Sequence, residues 1–99
     1  MFENILLKNG NVELDDCDFN CNDSVENLYN SLKEDLLQIK FDNSYLIDVG
    51  WYPEFSHDGS FKIMLIKNYE WDNPIYNLET KSLIELENIV NYLISIVDI

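Results

Sequence analysis

The side chains best suited to chemistry in this chain are two cysteines, Cys17 and Cys21, and its only histidine, His57. A thiol beside an imidazole can act as a nucleophile, and cysteine with histidine is also a common ligand set for zinc. The two cysteines are four residues apart, which is not the pitch of a Cys-x-x-Cys zinc half-site, and His57 is remote in sequence. Two reduced, partly buried thiols are the simpler interpretation. A small enzyme that uses one of these cysteines is an alternative.

Other sites of chemistry have less support. Asp16, Asp18 and Asn20 have the opening spacing of a calcium loop, but Cys21 stands where the loop needs glycine and Asn27 where it needs glutamate. No glycine-rich loop follows a predicted strand, so a nucleotide cradle has no basis. Neighbouring carboxylates in the sequence would point apart on a regular element. We therefore expect a protein that is not an enzyme and that needs no metal or other cofactor.

The stretch from Tyr45 to Tyr76 interleaves aromatic and acidic side chains, which suits a surface that binds a basic protein. Aromatic rings supply apolar contact area that becomes buried on binding. Carboxylates attract a basic partner and pair with its lysine or arginine side chains. Strand alternation places Trp51 in the core. The aromatic residues predicted to be exposed are instead Tyr52, Phe55, Tyr69 and Trp71. The predicted contact residues are the acids Asp48, Glu54, Asp58, Glu70 and Asp72 and the anchors Tyr52, Tyr69 and Trp71.

The net charge limits the kinds of partner. The chain has 19 acidic residues, six lysines and no arginine, for a formal charge of −13. Such a charge repels nucleic acid and anionic membrane surfaces and attracts a basic partner. The acids are also clustered, because no basic residue lies between Lys8 and Lys33. The acidic residues from Asp15 to Asp23, with Glu26, are therefore a second candidate surface.

The elements that must position these residues follow from local patterns. Tyr45 to Tyr52 alternates with the period of a strand, and Phe61 to Ile66 is a second apolar run after the Asp58-Gly59 turn signal. Further predicted elements are a hairpin of Glu3–Lys8 and Val12–Asp16 around Asn9-Gly10-Asn11, an amphipathic helix Ser24–Lys40 capped by Asp23, an edge strand Ile75–Glu79, and a second helix that begins at Ser82.

Together these elements predict one α+β domain over residues 1–99. Its antiparallel or mixed sheet has 4–5 strands, and two amphipathic helices pack on one face, so that the other face is only partly covered. The start of the chain lacks the pattern of a signal peptide, and no apolar run is long enough to cross a bilayer. We expect the protein to be cytoplasmic.

Several motifs in the C-terminal half resemble those of small bacterial immunity proteins from contact-dependent growth inhibition and polymorphic-toxin systems. An aromatic-Pro-Glu segment precedes an Asp-Gly-x-Phe turn, a Trp-x-x-Pro turn follows, and a threonine comes shortly before the final helix. In this sequence the motifs are Trp51-Tyr52-Pro53-Glu54, Asp58-Gly59-Ser60-Phe61, Trp71-Asp72-Asn73-Pro74, and Thr80 with Ser82-Leu83.

The resemblance implies a protein that binds one cognate toxin domain in the cytoplasm of the producing cell and neutralises it. Many such toxins are basic nucleases, so acidic side chains that stand in for phosphates would act as a nuclease inhibitor by occlusion. The main alternative is a non-catalytic acidic module that forms a homodimer through the wide apolar face of the last helix. An inhibitor of a host nuclease that mimics DNA is a further alternative.

Overall fold

The structure, a computed structural model, describes residues 1–2, 5–20 and 22–98 and shows a five-stranded antiparallel sheet in the order β1-β2-β3-β4-β5. One α-helix follows the sheet, and two 3-10 turns, Val25–Asn27 and Tyr29–Ser31, precede β2. The strands and helix are β1 Gly10–Asp15, β2 Leu37–Phe41, β3 Tyr45–Tyr52, β4 Ser60–Lys67, β5 Tyr76–Thr80 and α1 Leu83–Val97. The α+β class is confirmed, but the described part of the chain has one α-helix where two were predicted.

The central strands confirm the alternation seen in the sequence. Ile47, Val49 and Trp51 of β3 point into the core and are almost completely buried. In the β3–β4 register, Trp51 lies opposite Phe61, and their rings make an edge-to-face contact with centroids 4.9 Å apart. The predicted edge strand is also present as β5, which pairs with β4.

The predicted helix over 24–40 is wrong. Leu32, Leu36 and Ile39 fit a helical stripe, but Leu37, Ile39 and Phe41 also alternate, and all three are buried in β2. As a strand, this segment bonds to the edge of β3 and buries every second side chain. That pairing with β3 outweighs the helical pattern.

The predicted N-terminal hairpin is also wrong. Val12–Asp16 overlaps β1, but β1 pairs with β2 and residues 5–9 form no strand. Glu3 lies outside the described residues. Gly10 opens β1 opposite Phe41 instead of turning a hairpin. Because β2 is a strand, its outer edge needs a partner, and β1 supplies it.

Helix α1 begins as predicted. The Ser82 hydroxyl accepts a hydrogen bond from the Glu85 backbone N–H at 3.2 Å, which caps the first turn. The wide apolar face expected for this helix packs on the sheet, and its buried members are Leu83, Leu86, Val90, Leu93 and Val97. No helix in the described ranges has both the length and the apolar character to cross a membrane.

A layer of α1 and N-terminal segments covers one face of the sheet. Phe2, Cys17 and Phe19 are buried in the same core as the helix, and the Phe19 ring lies 6.3 Å from that of Phe61. The end of α1 is tied to the start of β1, because the backbone N–H groups of residues 8 and 9 donate to the Asp98 carboxylate at 2.8 and 2.7 Å. We call the layer formed by α1 and these N-terminal segments the core layer.

Candidate protein-binding surface

The second face of the sheet carries no helix in the part of the chain that the structure describes, and we call it the open face. Its central row crosses all five strands and combines polar and apolar side chains. The members of this row are Leu14, Gln38, Asp48, Met64 and Asn77. A mixed face of this kind can bind a partner without exposing a large apolar patch in the free protein.

Asp48 lies at the centre of the open face and is only 4% exposed. Its Oδ1 accepts a hydrogen bond of 2.9 Å from the Gln38 amide. Burial raises the pKa of Asp48, the Gln38 hydrogen bond opposes that rise, and the nearby charge of Asp35 adds to it. The fold therefore holds an acid where ionisation is unfavourable, which is a feature of many functional sites.

Gly50 allows a second acidic segment to approach β3. The Trp51 backbone N–H donates to the Lys33 carbonyl at 2.7 Å, and the Leu36 N–H donates to the Val49 carbonyl at 2.9 Å. A Cβ atom at Gly50 would lie 1.8 Å from the Glu34 carbonyl oxygen. Because Gly50 has no side chain, the backbone of residues 33–36 can lie directly beside β3. This path brings Glu34 and Asp35 to the open face.

Tyr52 lies among these acids. Burial raises the pKa of Tyr52 most, followed by the charges of Asp48, Asp35 and Glu34. The Lys62 ammonium lies 5.7 Å from the centre of the Tyr52 ring. One end of the open face thus presents a half-buried aromatic ring beside three carboxylates, which is a suitable arrangement for a cationic partner.

Tyr69 reaches the other end of the open face from the β4–β5 loop. Its ring lies beneath the ammonium of Lys40 on β2, with 5.3 Å from Nζ to the ring centroid. Because β3 lies between β2 and β4, Tyr69 extends across roughly 10 Å of sheet. The Asn68 N–H donates to the Ser44 carbonyl at 2.9 Å and holds the base of this loop against the β2–β3 turn.

The eight predicted contact residues do not form one compact patch. Asp48, Tyr52 and Tyr69 are associated with the open face, as described above. The others occupy loops at opposite ends of β4, whose eight residues span roughly 23 Å. Exposed Glu54 and Asp58 lie in the β3–β4 loop, and exposed Glu70, Trp71 and Asp72 in the β4–β5 loop.

The prediction of exposed aromatics is confirmed for three of its four residues. Phe55, Tyr69 and Trp71 are 46%, 59% and 44% exposed, whereas Tyr52 is half-buried. Sequence reasoning missed Glu34 and Asp35 as members of the acidic surface. The signal that could have found them is Gly50, because glycine inside a strand often marks a close backbone approach.

The second candidate acidic surface lies along the segment between β1 and the 3-10 turns. Asp16, Asp18 and Glu26 are exposed there. Asp16 forms a salt bridge of 3.6 Å with Lys33, and both side chains are about half exposed. Asp23 accepts a hydrogen bond from the Asn20 N–H instead of capping a helix.

Cys17 has an environment that disfavours a thiolate. It is buried, its thiol donates a weak hydrogen bond of 3.7 Å to the Leu36 carbonyl, and burial raises its pKa to about 12. Cys21 lies outside the described residues. His57 stacks on Tyr29 with ring centroids 4.1 Å apart. Among the described side chains, no group of three or more His, Cys, Asp or Glu could hold a metal ion.

Comparisons of this chain with protein-family models, curated proteins and solved structures gave no match.

The raised pKa of Asp48 leads to a prediction about stability. Since the folded protein holds the Asp48 proton more tightly than the unfolded chain, the contribution of Asp48 to stability falls as pH rises above its ordinary pKa. We expect Asp48→Asn to be more stable than wild type near pH 7, with the difference shrinking toward pH 3.5. Urea unfolding at both pH values measures it, and Asp42→Asn in an exposed turn is the control. A difference that does not change with pH would contradict the assigned pKa shift.

Proposed function

We propose that the protein is an immunity protein that binds and neutralises a cognate, basic toxin domain in the cytoplasm of the producing cell. The observation that carries the proposal is the open face, where Glu34, Asp35 and Asp48 surround Tyr52. The net charge of −13 supports a basic partner, and the motif resemblance described above supports the class of protein. The protein acts by covering the toxin's basic surface, and needs no cofactor to do so.

The burial of Asp48 supports this use of the open face. A buried carboxylate generally lowers stability unless it is well paired, and the hydrogen-bond partner of Asp48 is a neutral amide, that of Gln38. A cationic side chain from a partner would neutralise Asp48 and Asp35 together. The open face therefore contains one buried acid, Asp48, whose environment would improve when a basic protein binds.

Co-expression with a candidate toxin tests the proposal. The candidate is the C-terminal domain encoded by the immediately upstream reading frame, and the readouts are growth and co-purification at 50 mM and 500 mM salt. We expect growth to be rescued and the complex to weaken at high salt, because screening reduces attraction between exposed charges. A toxic domain that this protein neither binds nor neutralises would count against that partner and against the proposed function.

A homodimeric acidic module is the second candidate. The apolar stripe that was expected to be available for dimerisation packs on the sheet, but Ile84, Tyr92 and Ile96 form another exposed stripe on α1. Their separations are multiples of four, so they lie along one side of the helix. Sedimentation at several concentrations distinguishes the candidates, because an apolar dimer would form at both low and high salt.

A further inference from the structure

A concavity of about 340 Å³ lies at the end of the open face where β2 turns into β3. Its wall combines aromatic rings with two carboxylates, from Glu13 in β1 and Asp42 in the turn. Tyr69 lines one side, and Leu46 of β3 contributes apolar surface. Rings and carboxylates together are suited to a cation that has a flat or apolar portion.

A lysine of the same chain, Lys40, already lies in part of this concavity. Lys40 places its ammonium over the Tyr69 ring. The pKa of Lys40 is raised mainly by a hydrogen bond to the Tyr69 side chain, and the charge of Glu13 adds to this rise. Lys40 is exposed, so water competes for its ammonium and the contact can be exchanged for a better one. In the free protein, the Lys40 ammonium therefore makes a contact with the Tyr69 ring that another cation can replace.

The backbone holds Tyr69 in this position at a conformational cost. Asn68 and Tyr69 have positive φ angles of 56° and 60°. Asparagine tolerates that region, but a bulky aromatic residue rarely adopts it. Two successive left-handed residues turn the chain sharply back after β4. This turn brings the Tyr69 ring over the sheet, and the strain is typical of residues placed for a function.

We propose that the concavity receives an arginine side chain of the bound toxin domain, and that this arginine displaces Lys40 from the Tyr69 ring. A guanidinium group is planar and stacks on a tyrosine better than an ammonium does, while its N–H groups can pair with Glu13 and Asp42. Arginine is absent from this chain, so the group must come from a partner. The identity of that partner rests on the proposed function, but the ability to bind a guanidinium group does not.

A small probe tests the concavity without any toxin. Nα-acetyl-arginine methylamide is titrated into the purified protein while the tyrosine ring signals are followed by NMR, and the matching citrulline compound is the uncharged control. We expect millimolar binding of the arginine probe at Tyr69 and at least tenfold weaker binding of the citrulline probe. Lys40→Met vacates the ring and is expected to tighten arginine binding at least threefold.

Two tyrosine variants separate pocket binding from general attraction to an acidic protein. Tyr69 and Tyr92 are 59% and 57% exposed, and replacing either with alanine leaves the net charge unchanged. We expect Tyr69→Ala to weaken arginine binding at least fivefold and Tyr92→Ala to leave it as in wild type. Equal losses in both variants, equal binding of the two probes, or no arginine binding up to 50 mM would overturn the inference.

The outcomes for the concavity and for the proposed function are distinct. Arginine binding at Tyr69 without rescue from any candidate toxin would support an arginine site in the concavity and count against the immunity function. Rescue from a toxin without arginine binding at Tyr69 would support the immunity function and overturn the concavity alone.

Discussion

Alanine in place of Gly50 is expected to lower the free energy of unfolding by about 3–5 kcal/mol, a large part of the stability of a small domain. The added Cβ would meet the Glu34 carbonyl at 1.8 Å, and the atom that must move belongs to the backbone. Relief of this clash would disturb the two hydrogen bonds that tie residues 33 and 36 to β3, each worth about 1 kcal/mol. Urea unfolding followed by tryptophan fluorescence measures the loss.

Gly10→Ala is the control for this prediction. A Cβ at Gly10 would also meet neighbouring atoms, but these belong to the side chains of Phe41 and Leu7, which can adjust more easily. We expect Gly10→Ala to be the milder of the two changes. Equal stability of wild type and Gly50→Ala would show that residues 33–36 do not pack against β3 as described.

Reversal of charge at Glu34 and Asp35 is expected to weaken binding of the proposed partner, a basic toxin domain, at least about 100-fold, since close charge pairs at interfaces carry several kcal/mol. The double variant Glu34→Lys/Asp35→Lys leaves the buried core unchanged, because both side chains are exposed. Titration calorimetry at 150 mM salt measures the Kd, and co-expression measures protection. Thermal unfolding of the variant confirms that any loss is not a loss of folding.

The control for charge reversal is Asp18→Lys/Glu26→Lys, which changes the net charge by the same amount. Asp18 and Glu26 are exposed and belong to the second acidic surface. Because these two side chains are not among the proposed contacts and salt at 150 mM screens exposed charges, we expect less than about a threefold change. If this control loses binding and the Glu34/Asp35 variant does not, the second acidic surface is the contact site and the open face is not.

The sequence was most informative where local chemistry determines structure. The alternation from Tyr45 to Tyr52 and the Ser82 cap of α1 can be recognised within a few residues, and both are present in the structure. The segment from Leu32 to Phe41 satisfies a helical and a strand pattern at once. Its state depends on pairing with β3, which no local pattern reveals. The α+β class was therefore predictable, whereas the helix predicted over Ser24–Lys40 was not supported by its local pattern alone.

The candidate site was only partly predictable for the same reason. Asp48 and Tyr52 could be placed on one face of β3 from alternation alone. Glu34 and Asp35 join them only because Gly50 permits a backbone contact that spans a sequence separation of 16 residues. Tyr69 joins the face through two left-handed residues, neither of which is glycine. Residue types therefore give no signal for the position of Tyr69, whereas Gly50 is a signal for the approach of residues 34 and 35.

The two methionines allow a direct test of the central claim, that the open face binds the partner. Met64 lies on the open face, whereas Met1 lies in the core layer, where it borders a shallow concavity with Leu6 and Ile94. Protein labelled with ¹³C in the methionine methyl groups thus gives one signal from each side. On addition of the unlabelled toxin domain, we predict that the Met64 signal shifts and broadens while the Met1 signal stays in place. A shift of Met1 with an unchanged Met64 would contradict the account.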